Sequence, residues 1–186
     1  MPPPALETAR LLLQPIRLED AGQVQRLFPQ WEVVKYLNAV VPWPFPDDGV
    51  ETFYRERALP AIERGEEWHW TIRPKDEPER IIGAISLHLN REVNRGFWIA
   101  PEWQGRGLMT EAVAEATRFW FEDLGQPVLR TKKAIANAAS RAISVREGMR
   151  CTGRIEDEYV SGRLPTETWE IDAATWRGNR AKTCGT

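Results

Sequence analysis

A glycine-rich turn separates a strand-like run at residues 93–99 from a strongly helical run at 107–121. Its sequence is Gln104-Gly105-Arg106-Gly107-Leu108-Met109-Thr110. The first backbone N–H groups of a helix have no partner within it, and the helix dipole adds partial positive charge at the same end. Glycine has no Cβ, so the main chain there can approach an anion closely. The turn therefore predicts a binding site for a pyrophosphate group.

A simpler interpretation of this turn stays open. Gly-x-Gly turns between a strand and a helix often only end one element and begin the next. The turn matches neither the Gly-x-Gly-x-x-Gly dinucleotide motif nor the P-loop, since no Gly-Lys-Ser/Thr follows. The ordinary nucleotide-binding folds are therefore disfavoured.

The hydrophobic pattern divides the rest of the chain into helices and strands. Apolar residues alternate with polar ones at 80–89, and a turn at 90–92 leads into the run at 93–99. Asn137 is placed to cap a helix that ends at Gly148. The remaining strands are expected at 10–16, 68–72, 128–135, 149–160 and 166–173, and the remaining helices at 18–28, 31–37 and 47–64.

This order predicts one α/β (α+β) domain over residues 6–176. We expect a single mixed, largely antiparallel, twisted sheet of about seven strands with flanking helices and a β-α-β unit around the glycine turn. Ligands of such sheets favour the crevice at the carboxyl ends of the strands. The segment 177–186 is polar and is expected to be a loose tail.

Charge and cysteine usage narrow the class of partner. The 186 residues include 27 acidic and 25 basic side chains, for a net charge of −2, so the composition gives no indication of a nucleic-acid binder. No apolar stretch approaches the roughly 20 residues that a membrane helix needs, and the amino terminus lacks signal-peptide features. Two distant cysteines, Cys151 and Cys184, favour a reduced, cytoplasmic protein. No metal site is predicted.

The glycine turn and the later capped helix together resemble the GCN5-related N-acetyltransferase (GNAT) family. Its phosphate motif is Gln/Arg-x-x-Gly-x-Gly/Ala, which this chain matches at its first four positions, with Met109 at the last. Its later helix opens with Asn and ends in Gly-Phe; here Asn137 opens it and Gly148-Met149 closes it. Residues 96–103, the opening at 8–13 and the Trp43-Pro44-Phe45-Pro46 loop resemble the branch that acetylates ribosomal-protein amino termini.

This resemblance implies that acetyl coenzyme A (acetyl-CoA) is the co-substrate and that an amine attacks it directly. It places the pyrophosphate on the main chain of residues 104–110 and the pantetheine arm along Trp98-Ile99-Ala100. The N–H of Ile99 is the candidate for the acetyl carbonyl. The resemblance also implies that Asn137 hydrogen-bonds pantetheine, a role compatible with that of a plain helix cap.

Two serines on the capped helix are further candidates for the cofactor site. Ser140 and Ser144 are four residues apart and share a helix face, so both could also be ordinary helix-surface residues. By resemblance, Ser140 lies near the sulfur and is a candidate for a catalytic role. Many family members carry Tyr where this chain has Ser144, so the acid that protonates the leaving thiolate stays open.

The acceptor amine must also lose a proton. His88, Glu92 and Tyr159 are the candidate bases, and a water-relayed base is the alternative. A histidine titrates near neutral pH and suits this role, although a lone strand histidine is often structural. Glu92 lies in the turn before the cofactor strand, where carboxylates are usually solvated. His69, between two tryptophans, is interpreted as a packing residue.

The loop at 41–46 is stiffened by prolines, and Trp43 and Phe45 are expected to line the acceptor pocket. The alternative is a hydrophobic clip onto the core. The branch resemblance favours a protein or peptide N-terminal α-amine as acceptor. A small-molecule amine such as an antibiotic or polyamine, and a non-catalytic sensor of coenzyme A, are the other readings. A homodimer is compatible with the sequence.

Overall fold

Two antiparallel sheets with helices packed around them form the computed structural model, which describes residues 2–89 and 92–183, the side chains of 182 and 183 excepted. In the first sheet, neighbouring strands follow the chain order. Its strands are β1 (Leu6–Glu7), β2 (Leu11–Pro15), β3 (Glu67–Pro74), β4 (Gly83–His88) and β5 (Arg95–Ile99). The second sheet has the order β6-β8-β7, with β6 (Val128–Ala134), β7 (Arg150–Tyr159) and β8 (Gly162–Asp172).

The helices fall before, between and after these strands. They are α1 (Ala21–Leu27), α2 (Trp31–Val34), α3 (Gly49–Phe53), α4 (Leu59–Glu63), α5 (Leu108–Arg118), α6 (Ala138–Arg146) and α7 (Ala173–Thr183). A π-helical stretch, Tyr54–Ala58, joins α3 to α4. Pro60 has no N–H to continue the α-helical ladder at that point, which accounts for the irregular turn.

The alternation of side chains along β3 gives the first sheet one apolar and one polar face. Trp68 and Trp70 point to the face covered by α5 and its π-helical extension, Phe119–Asp123, where their rings lie 6.2 and 5.4 Å from the ring of Phe119. Glu67 and His69 point to the opposite face and are also buried. Since that face is covered by helices α1, α3 and α4, these two polar side chains lie inside the fold rather than on its surface.

A second apolar cluster fills the space between this polar face and helices α1, α3 and α4. Trp98 of β5 packs against its edge. Its buried members are Ile16, Ala21, Val24, Val50, Tyr54, Ala58 and Ile81.

The two sheets meet at one end and diverge at the other. The N–H of Asn94, just before β5, donates to the carbonyl of Arg130 in β6 at 2.9 Å. The side-chain oxygen of Asn94 accepts from the N–H of Arg130, also at 2.9 Å. Beyond this contact β5 and β6 belong to different hydrogen-bonded sheets. A split therefore opens between them toward Ile99 and Ala134.

The segment after α2 closes against the end of β7. Asn38 forms a bridge with Tyr159, and the N–H of Val160 donates to the carbonyl of Leu37 at 2.9 Å. The hydroxyl of Ser161 donates to the carbonyl of Lys35 at 2.6 Å. These bonds bring the proline-rich loop that follows, residues 41–46, to the same side of the molecule as the β7–β8 hairpin.

The structure confirms the predicted α/β class, the largely antiparallel pairing and the flanking helices. The strands divide between two sheets of five and three instead of forming one, because β5 and β6 diverge after Asn94. Residues 90 and 91 of the predicted turn lie outside the described residues. Within residues 2–89 and 92–183, no helix is both long and apolar enough to cross a bilayer.

The expectation of a loose tail after Trp176 is wrong for residues 177–183, which continue α7. Asp172 caps this helix by accepting from the N–H of Thr175 at 2.8 Å. The Trp176 ring packs on Phe121 with centroids 5.1 Å apart. Tertiary contact of one buried tryptophan therefore holds a helix whose sequence is otherwise polar.

Candidate active site

The glycine turn at the start of α5, here called the cradle, has the backbone geometry expected of an anion-binding site. Gly105 and Gly107 have φ values of +73° and +75°, the left-handed region that glycine adopts without a Cβ penalty. Helical hydrogen bonding begins with the N–H of Glu111, which donates to the carbonyl of Gly107. The N–H groups of Leu108, Met109 and Thr110 therefore lie at the open end of the helix. The side chains of Leu108 and Met109 are buried, so these residues contribute main chain only.

Three arginines surround this cradle. The guanidinium groups of Arg80 and Arg106 lie 5.0 and 4.9 Å from the ring centroid of Trp103. Arg10 donates to the carbonyl of Arg106 at 3.1 Å. Their charges add to the helix dipole, so the cradle suits a polyanion such as the diphosphate of coenzyme A.

Glu111 in the first turn of α5 holds Arg10 in this position. Its carboxylate accepts from the backbone N–H and from the Nε of Arg10, each at 2.7 Å, and from the hydroxyl of Thr8 at 2.5 Å. Burial alone would raise the pKa of Glu111, but these hydrogen bonds lower it. The carboxylate therefore stays charged and ties the start of β2 to the cradle.

The split between β5 and β6 is open at the end of β5 that leads into the cradle, and it exposes backbone of β5 there. The N–H of Ala100 donates to Ile82 in the direction of β4, so alternation turns the N–H and carbonyl of Ile99 toward the split. The side-chain amide of Gln104 donates to that carbonyl at 3.2 Å. A Cβ on Gly83, opposite Ile99, would lie 2.4 Å from the carbonyl oxygen of Trp98, so glycine permits this close pairing.

Helix α6 follows β6 and forms a boundary of the same split. The side-chain oxygen of Asn137 accepts from the N–H of Ser140 at 3.1 Å, which confirms the predicted cap. Ser140 and Ser144 are both buried, so neither is an ordinary helix-surface residue. The hydroxyl of Ser144 has no hydrogen-bond partner among the described residues.

We expect Asn137→Ala to destabilise the protein by about 1 kcal/mol through the lost cap and also to weaken coenzyme A binding. Asn137→Ser keeps a capping oxygen but removes the amide. Thermal unfolding with and without coenzyme A separates the two effects. Unchanged affinity in both variants would leave Asn137 with the capping role alone.

A buried acid–base network lies on the polar face of β3 and β4. The register places Glu67 opposite His88 and His69 opposite Ser86. One carboxylate oxygen of Glu67 lies 2.7 Å from Nε2 of His69 and 3.4 Å from Nδ1 of His88. The other ring nitrogen of His88, Nε2, lies 2.9 Å from the hydroxyl of Ser86.

This geometry keeps Glu67 ionised. Burial would raise its pKa, but the hydrogen bond with His69 and the close approach of the His88 ring outweigh burial and hold the pKa well below its usual range. The His88 ring lies between this carboxylate, 3.4 Å from its Nδ1, and the hydroxyl of Ser86, 2.9 Å from its Nε2, so both ring nitrogens face polar groups. His69, expected to be a packing residue, contacts the Phe53 ring and belongs to this network.

The other two candidate bases lie in different surroundings. The carboxylate of Glu92 is 75% exposed and accepts from Nζ of Lys132 at 2.9 Å. The hydroxyl of Tyr159 is 2.8 Å from that of Thr166, and burial raises the pKa of Tyr159. No contact of the described residues joins either group to His88.

The proline-rich loop lies over the same face as the network. The Phe45 ring packs on Phe28 at 5.0 Å, and Phe28 contacts the Trp98 ring at 5.4 Å. Phe45 therefore clips the loop to the core beside β5. Trp43 is 44% exposed and its ring lies 5.7 Å from that of Trp31, which is equally exposed.

Sequence reasoning missed four functional candidates that the structure brings to the site: Glu67, Ser86, Arg10 and Arg80. Glu67 enters the site only through strand pairing, which brings it opposite His88 although 21 positions separate them in the chain. The sequence did contain an indication of this role, because a charged residue next to Trp68 within a buried strand is unusual.

Comparison with known proteins agrees with this geometry. Residues 10–150 match the Acetyltransferase (GNAT) domain family. The chain is 36% identical over 87 residues to the "Putative ribosomal N-acetyltransferase YdaF" of Bacillus subtilis, a match that covers 44% of this chain and 48% of that protein.

Two solved structures share the fold. The ribosomal-protein-S5-alanine acetyltransferase of Vibrio fischeri superposes with a TM-score of 0.78 at 15% identity, over 93% of this chain and 98% of that one. RimL, a ribosomal L7/L12 α-N-protein acetyltransferase solved with coenzyme A, gives a TM-score of 0.76 at 14% identity, over 91% and 98%. Because the family match spans the cradle, the split and α6 alike, this chain belongs to the GNAT family and is an acetyl-CoA-dependent N-acetyltransferase.

Proposed function

We propose that the protein acetylates the N-terminal α-amine of a protein or peptide. The observation that carries this proposal is an exposed apolar rim on the segment that packs, through Phe45, over the face of the sheet that carries the network. Trp31 and Trp43 are each 44% exposed and Val40 is 74% exposed. A polypeptide that presents its amino terminus to His88 has enough surface to cover such a rim, whereas a small amine leaves it in water. Similarity to YdaF, which is described as a "Putative ribosomal N-acetyltransferase", supports a ribosomal acceptor.

The proposed donor site is the cradle and the split. The main chain of Gln104, Gly105, Arg106, Gly107, Leu108, Met109 and Thr110 would hold the pyrophosphate, with Arg10 adding charge. Trp98, Ile99, Asn137, Ser140 and Ser144 would hold the pantetheine arm. Bound acetyl-CoA supplies an acetyl group activated as a thioester. The Ile99 N–H is aimed to hydrogen-bond the acetyl carbonyl oxygen as negative charge develops on it.

The proposed acceptor site lies on the polar face of the first sheet, which is the face opposite to α5. The hydroxyl of Ser86 passes the amine proton to Nε2 of His88, and Glu67 stabilises the resulting imidazolium. Both residues are held by strand pairing, so the proton path requires no rearrangement. Glu92 and Tyr159 have no step in this path. The cytoplasmic location and a homodimer remain expectations.

A thiol-release assay with acetyl-CoA tests the acceptor. Three sets are compared: peptides with free amino termini, the same peptides N-terminally blocked but carrying a lysine, and small amines including a polyamine and an aminoglycoside. We expect release only with the first set and a mass increase of one acetyl group at its amino terminus. Release confined to small amines would contradict the proposal.

Removing the exposed indole should affect the acceptor and spare the donor. We expect Trp43→Ala to raise the acceptor KM by roughly tenfold, the cost of one aromatic contact of about 1 kcal/mol or more, with acetyl-CoA affinity unchanged. Trp43→Phe keeps an aromatic ring, so its acceptor KM should stay close to that of the wild type. A lost donor affinity with an intact acceptor KM would place this loop on the wrong side of the site.

A further inference from the structure

Adjacent lysines on β6 occupy opposite environments. Lys132 bonds to Glu92 at 2.9 Å and lies 3.4 Å from Asp157. Although partial burial opposes it, the hydrogen bond to Glu92 raises the pKa of Lys132. Lys133 points to the other face of the strand and is only 7% exposed. Its Nζ lies 4.3 Å from the ring centroid of Phe97 on β5. Lys133 therefore spans the split between the two sheets.

The position of Lys133 along the split is defined by its neighbours. β5 and β6 touch at Asn94 and Arg130 and are apart at Ile99 and Ala134. Phe97 and Lys133 lie between those two ends, on facing walls. The amine is consequently beyond the point at which the split opens, where the proposed site puts the reactive end of the pantetheine arm.

The carboxylates around Lys133 are bonded to other cations. Arg95 of β5, whose side chain is fully buried, donates to both carboxylate oxygens of Glu147 beside α6, at 2.8 and 2.6 Å. Arg95 also donates to the hydroxyl of Thr117 on α5 at 2.6 Å. On β8, Glu167 is the register partner of Lys133, and it accepts from Arg141 at 2.7 Å. No described carboxylate forms an ion pair with Lys133.

These surroundings set the protonation of the amine. Burial lowers the pKa of Lys133, and the positive charge of Arg95 lowers it further. The negative charge of Glu147 opposes both effects only in part, and the resulting pKa is about 7. An ammonium that titrates near neutral pH gives up its proton more readily than an ordinary lysine. A free thiol has a pKa of about 8.5, so a thiolate leaving group would accept that proton.

We propose that Lys133 donates the proton to the sulfur of coenzyme A as the thiolate leaves, an inference that rests on the donor placement of the proposed function. When the acceptor nitrogen bonds to the acetyl carbon, the carbon–sulfur bond breaks and its electron pair stays on sulfur. Lys133 loses one Nζ proton to that sulfur and becomes a neutral amine. The proton that the acceptor nitrogen loses goes separately to His88, and solvent restores the charge on Lys133.

The first test needs no turnover. The chain has five lysines, so 13C labelling at lysine Cε gives few NMR signals, and Lys133→Arg assigns the one of interest. We expect the Lys133 signal to titrate near pH 7 in the ligand-free protein and to shift when coenzyme A is added. The Lys132 signal should not titrate near pH 7 and should not shift with coenzyme A. A Lys133 signal that titrates near its ordinary value, above pH 10, would overturn the proposal. A Lys133 signal unmoved by bound coenzyme A would show that the donor placement itself is wrong.

The second test uses matched variants. Lys133→Met and Lys133→Arg should each lower kcat about 10²-fold, while coenzyme A still raises Tm. Methionine has no proton to donate, and arginine keeps the charge but cannot give up a proton. Lys132→Met should keep wild-type kcat. In the wild type, kcat should fall as pH rises through the Lys133 pKa, and this limb should vanish in Lys133→Met. Restored kcat in Lys133→Arg, or an acetyl group found on Lys133 itself, would overturn the proposal.

Discussion

Gly107→Glu should abolish the thermal stabilisation that acetyl-CoA gives the wild-type protein. A ligand at a hundredfold of its Kd stabilises the native state by about 2.7 kcal/mol, roughly 5–10 °C in Tm for a domain of this size. The glutamate would force a side chain into a backbone with φ of +75° and put a negative charge where the phosphates bind. Differential scanning fluorimetry with increasing acetyl-CoA measures the shift.

A second positive-φ glycine provides the matched control. Gly125 has φ of +62° and follows the π-helical extension of α5, at the opposite end from the cradle. Gly125→Glu introduces the same charge and a comparable backbone strain, so it should lower Tm without changing the acetyl-CoA shift. A wild-type shift in Gly107→Glu would mean that the cradle is not the phosphate site.

His88→Gln should lower kcat by about 10²-fold or more, the usual contribution of a positioned general base. Glutamine can hydrogen-bond to Ser86 but cannot take its proton. The loss should shrink as pH rises, because hydroxide then competes as the base and more of the acceptor amine is already neutral. Steady-state kinetics with saturating acetyl-CoA from pH 6 to 10 check both statements.

Two neighbours of His88 separate chemistry from packing. Glu67→Gln removes the charge that stabilises the imidazolium and should lower kcat with little change in the acceptor KM. His69→Gln keeps a hydrogen bond to Glu67 and should lower kcat much less.

The candidate ligand atoms of Glu67, His69 and His88 lie within 4.8 Å of one another, so activity is also measured after chelation. If chelation removed the activity and a divalent metal restored it, these three residues would form a metal site, and the role of His88 as general base would be wrong.

Local chemistry explains which parts of the site were predictable from sequence. The cradle needs glycines at the start of an amphipathic helix, and the Asn137 cap needs an oxygen three residues before a helical N–H. Both requirements lie within a few consecutive residues and are visible in the sequence. His88 was predicted as a candidate base from its side-chain type and from the strand face it occupies, and this role stays a prediction.

Pairing between distant segments explains what was missed. Glu67 faces His88 only through the β3–β4 register, and Lys133 faces Phe97 only because two sheets diverge after Asn94. Helix α7 is stabilised by Trp176 against Phe121, a contact that no local pattern indicates. These features depend on how the elements dock, which composition and periodicity do not encode.

A bisubstrate analogue, in which a peptide α-amine is joined to the sulfur of coenzyme A through an acetyl bridge, would fill the donor and acceptor sites in one crystal structure. We expect the diphosphate on the N–H groups of Leu108 to Thr110 and the pantetheine arm between Ile99 and Asn137. We also expect the peptide nitrogen within hydrogen-bond reach of Ser86, on the side of Trp43. A pantetheine arm outside the β5–β6 split, or a peptide nitrogen away from the Ser86–His88 pair, would contradict this placement of the two sites.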